Sequence, residues 1–487
     1  QIAGIIAIHF LRACNKNTVC DRHRAGTMIG QLKIGRRFLF RYALALALAL
    51  CAIAACNNTL NEYKDGSYFV GSQRMITWAK TYGGSFEDAA MAITQTSDGG
   101  YAVAGYSFSN DGDVTGNHGM ADFWVVKVDS DGNLQWQRNY GGSGDDRAND
   151  IKQTRDGGYI VAGYSRSADG DVPGNYGDYD FWILKLASDG SIDWSRNYGG
   201  SDEDEAFSID QTSDGGYAVA GYSRSNDNDV SGNHAGSIDI WIVKLNAMGA
   251  LERKRSIGGD DIDSAVSIQQ TSNGGYVIAG YTMSTNGDLT GTTPQGLEDL
   301  LVVTVDSLFG NLTKVRLGGS GYDRANSVRQ LSDGSFIVAG YTESTDGTVS
   351  GRRGTTDSDI WVVKLSASLA FQWQQCFGGS HDDSGESIRV ANDGGYIIAG
   401  FTDSGDGDVT DKHAGEDAWI IKITSSGTVQ WQKCFGGSDN EITHSVTPTA
   451  DGGYIAAGYT LSTDGDITFN HGTKDFFLVK VNDWGNW

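Results

Sequence analysis

The chain has 487 residues, with 61 acidic against 37 basic side chains and a formal net charge of −24. That balance repels nucleic-acid phosphates and anionic lipid head groups, so nucleic acid is excluded as a partner. Gly is abundant at 68 residues, Pro is scarce at 3, and short apolar runs broken by Gly, Asn, Asp and Ser dominate from residue 76 onward, which is an all-β pattern.

The N-terminal part reads separately. Residues 1–27 precede Met28 and are expected to be upstream translation, outside any fold. In residues 28–55, Lys33, Arg36, Arg37 and Arg41 precede an apolar run from Tyr42 to Ala55, too short for a membrane span. The run ends Ile53-Ala54-Ala55-Cys56, which resembles the lipobox of bacterial lipoproteins. The resemblance implies a signal peptide over 28–55, lipidation at Cys56 and a tethered linker over 56–75. Asn57 lacks the Asp-type inner-membrane retention cue, so the resemblance favours the outer membrane.

From Trp78 on, one unit recurs seven times. Its mark is a double glycine at 83–84, 141–142, 199–200, 258–259, 318–319, 378–379 and 436–437, a period of 58 to 60 residues. A fixed period of this length means stacked supersecondary units. In the first unit, Ala89–Thr96 predicts a strand, followed by the turn Ser97-Asp98-Gly99-Gly100. Tyr101–Ser107 predicts a second strand, and a polar loop runs from Phe108 to Ala121. Asp122–Val128 and Leu134–Tyr140 predict the third and fourth strands. Phe123-Trp124-Val125-Val126 is continuously apolar, as in a strand covered on both faces, whereas Leu134-Gln135-Trp136-Gln137 alternates like an outer strand. The first strand carries a small residue before its aliphatic (Ala92, Ser208, Ser267, Ser327, Ser387, Ser445, with Asp150 the exception), fitting crowding toward a common axis.

The last unit stops after Asp475–Val481, and its missing fourth strand appears at the other end, as Ile76-Thr77-Trp78-Ala79-Lys80. Residues 76–487 are therefore expected to form a seven-bladed β-propeller of four-stranded antiparallel blades, its ring closed by the N-terminal strand. An open solenoid is the alternative, but it would not need the displaced strand.

Asp129-Ser130-Asp131-Gly132-Asn133-Leu134-Gln135-Trp136 resembles the Asp-x-x-x-Gly-x-x-x-Trp repeat of quinoprotein (PQQ-like) propellers, with one residue fewer between Asp and Gly. That group includes a lipid-anchored propeller of the outer-membrane assembly machinery. The whole unit, with Asp-Gly-Gly-Tyr, Ala-Gly-Tyr and Trp-x-x-x-Tyr-Gly-Gly, is similar to repeat lipoproteins and secreted surface proteins of bacteria, especially Bacteroidetes. The resemblance covers residues 76–487; it speaks to fold more than to function.

Strand parity places the loops after strands two and four on one face, and that face gathers acids. The loops after strand two carry Asp111 and Asp113, Asp169 and Asp171, Asp227 and Asp229, Asp406 and Asp408, and Asp464 and Asp466. Asp-x-Asp spacing and hard oxygen ligands make calcium the expected cation there, while Asx turns on their own backbone are the local alternative. Strand three opens with Asp122, Asp180, Asp239, Asp299, Asp359, Asp417 and Asp475, read as structural. The loops between blades add Asp88, Asp146, Asp204, Asp263, Asp323, Asp383 and Glu441. His118, His234, His413 and His471 sit near the same loops and are expected to be solvated, since one His per blade makes no zinc site. Cys376 and Cys434 occupy equivalent positions in neighbouring units and are expected to be free packed thiols.

No nucleophile elbow, zincin motif, Cys-x-x-Cys or phosphate loop is present, so no catalytic residue is assigned. The acids repeat in every unit, whereas an active site breaks symmetry. The expectation is a monomeric, envelope-anchored, non-catalytic binding or scaffolding propeller that engages an envelope protein or glycan. The alternative is a glycan-active or quinoprotein-type enzyme on the same fold. Symmetry breaks most in blades four and five, at Leu301, Arg253, Thr313 and Thr304, and Arg352-Arg353 places two cations on the acidic face as a candidate partner-docking edge.

Overall fold

The computed structural model describes residues 76–234, 236–354 and 357–483. Cys56, the signal segment and the linker lie outside the described residues. The described residues form seven four-stranded antiparallel sheets. In the first blade the strands are Asp88–Gln95, Tyr101–Ser107, Asp122–Val128 and Leu134–Tyr140. The sequence reading of the first strand is thus shifted by one residue, because Asp88 joins the ladder opposite Ser107.

The seventh blade pairs Glu441–Pro448, Tyr454–Thr460 and Asp475–Val481 with the N-terminal strand Ile76–Tyr82. Ala79 stands opposite Val479 and Lys80 opposite Leu478. First strands of successive blades pack on one another, and Glu441–Pro448 packs on Asp88–Gln95. The ring is closed, and no blade edge is left open between its two ends.

Each first strand bulges after its third residue, as between Ala90 and Ala92. The second strand meets the bulge with the glycine of Ala-Gly-Tyr. A methyl group on Gly105 would lie 1.9 Å from Ala89 O. The glycine is there because the bulge pushes a carbonyl into the space of a side chain.

The core lies between blades. Trp182 packs on Phe123 of the preceding blade with ring centroids 4.2 Å apart, Trp241 on Phe181 at 4.6 Å, and Trp124 on Phe476 at 4.4 Å, the last joining the first blade to the seventh. Each fully buried ring contributes about 1.5–3 kcal/mol of hydrophobic stabilisation. On the outer strand, Trp78 packs on Tyr101 and Trp136 on Tyr159 of the next blade. The same Trp rings cover turn glycines: Gly132, at φ +73°, lies against Trp78, and Gly190 against Trp136.

This contact accounts for the loss of the outer-strand Trp, which the structure places in blades three (Arg253) and four (Thr313) rather than four and five. Where the outer-strand Trp becomes Arg253, the facing turn carries Phe309 in place of glycine, at φ 63° and buried. Where it becomes Thr313, the facing turn carries Leu369, at φ 62° and buried. The turn residue fills the volume the lost ring leaves, at the expense of a left-handed conformation unfavourable to a side chain.

Candidate functional site

Two sets of acids and one channel stand out. On the loop face, every blade junction is built around its double glycine. Gly84 N donates to Asp88 Oδ2 at 2.7 Å, and Ser109 Oγ donates to the same oxygen at 2.9 Å. Asp475 of the adjacent blade closes the other side: a methyl group on Gly83 would stand 2.4 Å from Asp475 Oδ1 and 2.8 Å from Asp88 Oδ2. The pattern recurs around Gly141 with Asp122 and Asp146, around Gly199 with Asp180 and Asp204, and around Gly436 with Asp417 and Glu441. Each junction therefore buries two carboxyl groups, one from each blade, around a glycine that must lack a side chain. Gly258, Gly318 and Gly378 repeat the arrangement with Asp239 and Asp263, Asp299 and Asp323, and Asp359 and Asp383.

Burial dominates the electrostatics here. It lifts the Asp88 carboxyl from 3.8 to about 6, with the charge of Asp475 adding to it, against hydrogen bonds from Ser107, Gly84 and Ser109. Burial likewise lifts Asp122 to about 6, and Asp180 and Asp359 to about 7. Oδ1 of Asp122, Asp180, Asp359, Asp417 and Asp475 has no hydrogen-bond partner among the described residues. The other oxygen is capped from the preceding loop. His118 N and Nδ1 both contact Asp122 Oδ2 at 2.8 Å, and His234, His413 and His471 cap Asp239, Asp417 and Asp475 in the same way. These four histidines are thus structural caps rather than solvated loop residues. In blade four Arg316 takes the role, buried against Asp299.

The Asp-x-Asp residues also serve the junction. Asp111 Oδ1 accepts the Ser85 N–H at 2.7 Å, and Asp169, Asp227, Asp406 and Asp464 accept Ser143, Ser201, Ser380 and Ser438 at 2.7–2.8 Å. At the second position only the backbone is needed. Asp113 N donates to Gly83 O at 2.8 Å, with Asp171, Asp229, Asp408 and Asp466 doing the same toward Gly141, Gly199, Gly378 and Gly436. Thr348 keeps that bond without a carboxylate, which is why the motif can lapse in blade five. Among the described residues no three His, Cys, Asp or Glu side chains converge as a metal cage. Arg353 forks onto Asp408, Nε to Oδ2 at 2.8 Å and Nη2 to Oδ1 at 2.6 Å, while Arg352 Nη1 donates to Asp357 O. Cys376 and Cys434 are free and buried, and burial pushes the Cys376 thiol up to about 12.

On the opposite face, the turn acids meet lysines. Lys127 Nζ, on a side chain 4% exposed, lies 3.0 Å from Asp98 Oδ2, and Lys185, Lys244, Lys422 and Lys480 pair with Asp156, Asp214, Asp393 and Asp451. Burial works against the Asp98 charge, but hydrogen bonds from Thr96, Gly100 and Lys127 outweigh it and hold the carboxyl down to about 2. In blade four Thr304 replaces the lysine and Asn273 the aspartate, so both charges vanish together.

The axial channel is where symmetry fails outright. The penultimate residues of the seven first strands are Thr94, Lys152, Asp210, Gln269, Arg329, Arg389 and Thr447, and they line one cavity of about 190 Å³. Sequence reading missed this set. The only signal was a charged residue recurring two places after the small residue of an inner strand, and it gains meaning only when ring closure brings residues some 60 positions apart together.

No protein-family model matches the chain. Among curated proteins it is similar to "Regulatory protein FlaEY" of Caulobacter vibrioides, 24% identical, the match covering 78% of this chain and 43% of that protein. The chain thus spans less than half the length of that relative. Among solved structures it is similar to a protein of unknown function from Bacteroides caccae (15% identical, 64% of this chain and 89% of that one, TM-score 0.38). It is also similar to Sqt1 from Chaetomium thermophilum (10% identical, 83% and 100%, TM-score 0.39). A third is the Synechocystis apocarotenoid oxygenase (13% identical, 84% and 94%, TM-score 0.39).

Proposed function

We propose that the chain is a non-catalytic binding or scaffolding propeller, tethered through Cys56 at the cell envelope on the outer membrane. One observation carries the binding role. The loops after strand two expose Met120, Tyr176, Leu297 and Phe469, each at least half exposed, while the buried acids beneath hold those loops in place. A rigid acidic rim studded with exposed apolar side chains suits a partner with basic and apolar groups, or a glycan that stacks on Tyr176 and Phe469. Calcium is the cation this reading admits at the Asp111–Asp113 type loops. It would raise the melting temperature, and chelation would lower it again.

The tether and the face are tested separately. Cells fed a clickable fatty acid should label the full chain and not the Cys56→Ala variant; equal labelling removes the tether. Crosslinking of intact cells should then capture an envelope protein or glycan with the full chain. A Met120→Glu, Phe469→Glu variant that captures the same partner at the same yield removes the loop face from the reading.

A further inference from the structure

The channel gathers three cations, Lys152, Arg329 and Arg389, whose charges its own carboxylates offset only in part. Lys152 is paired with Asp150 on its own strand. Asp210 accepts the Gln270 N–H at 2.8 Å. Arg329 and Arg389, at equivalent positions of adjacent blades, form no ion pair among the described residues. Each guanidinium commits only Nη1. Arg329 Nη1 donates to Val328 O at 2.6 Å and weakly to Ser267 Oγ at 3.4 Å. Arg389 Nη1 donates to Ile388 O at 2.9 Å, to Ser387 Oγ at 3.0 Å and weakly to Ser327 Oγ at 3.4 Å. Nε and Nη2 of both have no acceptor among the described residues. Two like charges, both on half-buried side chains, thus face one channel cavity, with Nε and Nη2 of each guanidinium free to meet a ligand there.

The neighbouring carboxylates offset these charges only in part: Asp150, which also holds Lys152, favours the charge of both guanidiniums and Asp210 favours that of Arg329, but burial outweighs them. Glu386 and His444 line the adjoining stretch of channel. Burial lifts the Glu386 carboxyl, which accepts Ser384 Oγ at 2.6 Å, and burial lowers the His444 imidazole to about 4. Burial also lifts Asp210. Burial disfavours the charge on Arg389 and the Arg329 charge adds to that, against the attraction of Asp150. Arginine does not give up its proton in proteins, so relief must come from a counter-charge.

We propose that the axial channel binds a small oxyanion, a carboxylate or a phosphate, between the guanidiniums of Arg329 and Arg389. The planar fork of each guanidinium matches two oxygens of such a group, and Thr94, Gln269 and Thr447 line the same cavity as further hydrogen-bonding groups. The net charge of −24 repels anions from the outside, so occupancy would be selective for a ligand that the channel itself holds. The proposal goes beyond the scaffolding reading and stands apart from the rim and the tether.

The test is isothermal titration calorimetry on the full chain with inorganic phosphate, with acetate and with succinate, each against sodium chloride at equal ionic strength. The expected result is saturable binding of one anion per chain in at least one arm. The arm that saturates distinguishes phosphate from carboxylate. Arg329→Gln and Arg389→Gln should each weaken binding by about tenfold or more, since a charge-assisted hydrogen bond is lost. Arg389→Lys keeps the charge without the fork and should also bind more weakly, which serves if a glutamine variant fails to fold. Absence of saturable binding in all three arms overturns the proposal, as does unchanged affinity in Arg389→Gln or, where that variant is unfolded, in Arg389→Lys.

Discussion

The two rims of each blade use the same residue type in opposite ways. On the loop rim, Asp88 and Asp475 are fully buried on either side of Gly83 and are held toward the neutral form. On the turn rim, Asp98 is more than half exposed, and its partner Lys127 is the buried member. There the aspartate is held ionised. The loop rim glues blade to blade by packing and hydrogen bonds at the expense of charge. The turn rim uses charge to satisfy a lysine that the blade has buried. An acidic sequence is therefore two different electrostatic objects, and pH separates them.

The largest expected effect is that separation. The loop-rim acids have folded pKa values raised above the ordinary 3.8, to about 6 for Asp88, Asp122, Asp204, Asp263 and Asp383, and to about 7 for Asp180 and Asp359. A raised folded pKa contributes stability that is complete below the unfolded value and is lost as pH rises through the folded value. Asp98 and Asp214, held down to about 2, act in reverse: their contribution is present above 3.8 and lost as pH falls through 2. Stability should therefore rise as pH drops from about 8 to a maximum near pH 4, and fall as pH drops from there toward about 2. Summed over the junctions, the rise should amount to several kcal/mol. Thermal melts across pH 2–9 at fixed ionic strength check this, and a stability maximum at neutral pH would contradict the junction electrostatics.

The second effect compares one glycine from each rim. A methyl group on Gly141 would lie 2.5 Å from Asp122 Oδ1 and 2.7 Å from Asp146 Oδ2, with both carboxyls buried and the blades unable to part. Gly141→Ala should cost about 3 kcal/mol. Gly99, at φ +86°, has open space where a methyl would go, so Gly99→Ala should cost only the left-handed penalty of about 1 kcal/mol. Denaturant unfolding of both variants measures the gap. Equal costs would mean that the junction relaxes and that the double glycine marks only a turn.

These contrasts show which parts of the molecule a linear reading can reach. The Gly-Gly period, the truncated last unit and the Trp78 match carried the blade number and the ring closure, because each is a local pattern repeated at a fixed distance. The Asp that opens strand three is legible as a fixed position of the repeat because it persists at Asp359, where the loop motif lapses. Its partner was not recognisable: Asp475 meets Asp88 only after the ring closes. At Arg253 and Thr313 the sequence shows a lost Trp but not the buried Phe309 and Leu369 that take up the vacated volumes some 55 residues further on. The channel charges stayed hidden for the same reason. Thr94, Lys152 and Arg329 occupy one strand position, and nothing in any single repeat says that this position faces an axis.

A third, smaller effect probes the turn rim alone. Lys127 donates to Asp98, to Val128 O at 3.0 Å and to Gln135 Oε1 at 2.9 Å. Lys127→Met removes the buried charge together with these bonds and leaves Asp98 to water. Blade four already tolerates the loss of both partners through Thr304 and Asn273. The expected cost is about 1 kcal/mol at pH 7, well below that of breaking a fully buried pair. The variant should also lose part of the stability decline below pH 3, because Asp98 returns toward its ordinary pKa.

The smallest effect returns to the loop rim, to an exposed charged pair that reaches from blade five to blade six. The Arg353 guanidinium is 47% exposed and forks onto Asp408 of the next blade, 24% exposed. Its backbone N–H also caps Asp359 at 2.8 Å, the position a histidine takes in blades one, three, six and seven. Arg353→Gln keeps that backbone cap and loses only the fork, so it should cost about 0.5 kcal/mol at low salt and less at 0.5 M salt. A loss above about 2 kcal/mol would mean that the side chain, rather than the loop backbone, secures the blade-five junction. The rims would then differ in degree instead of in kind.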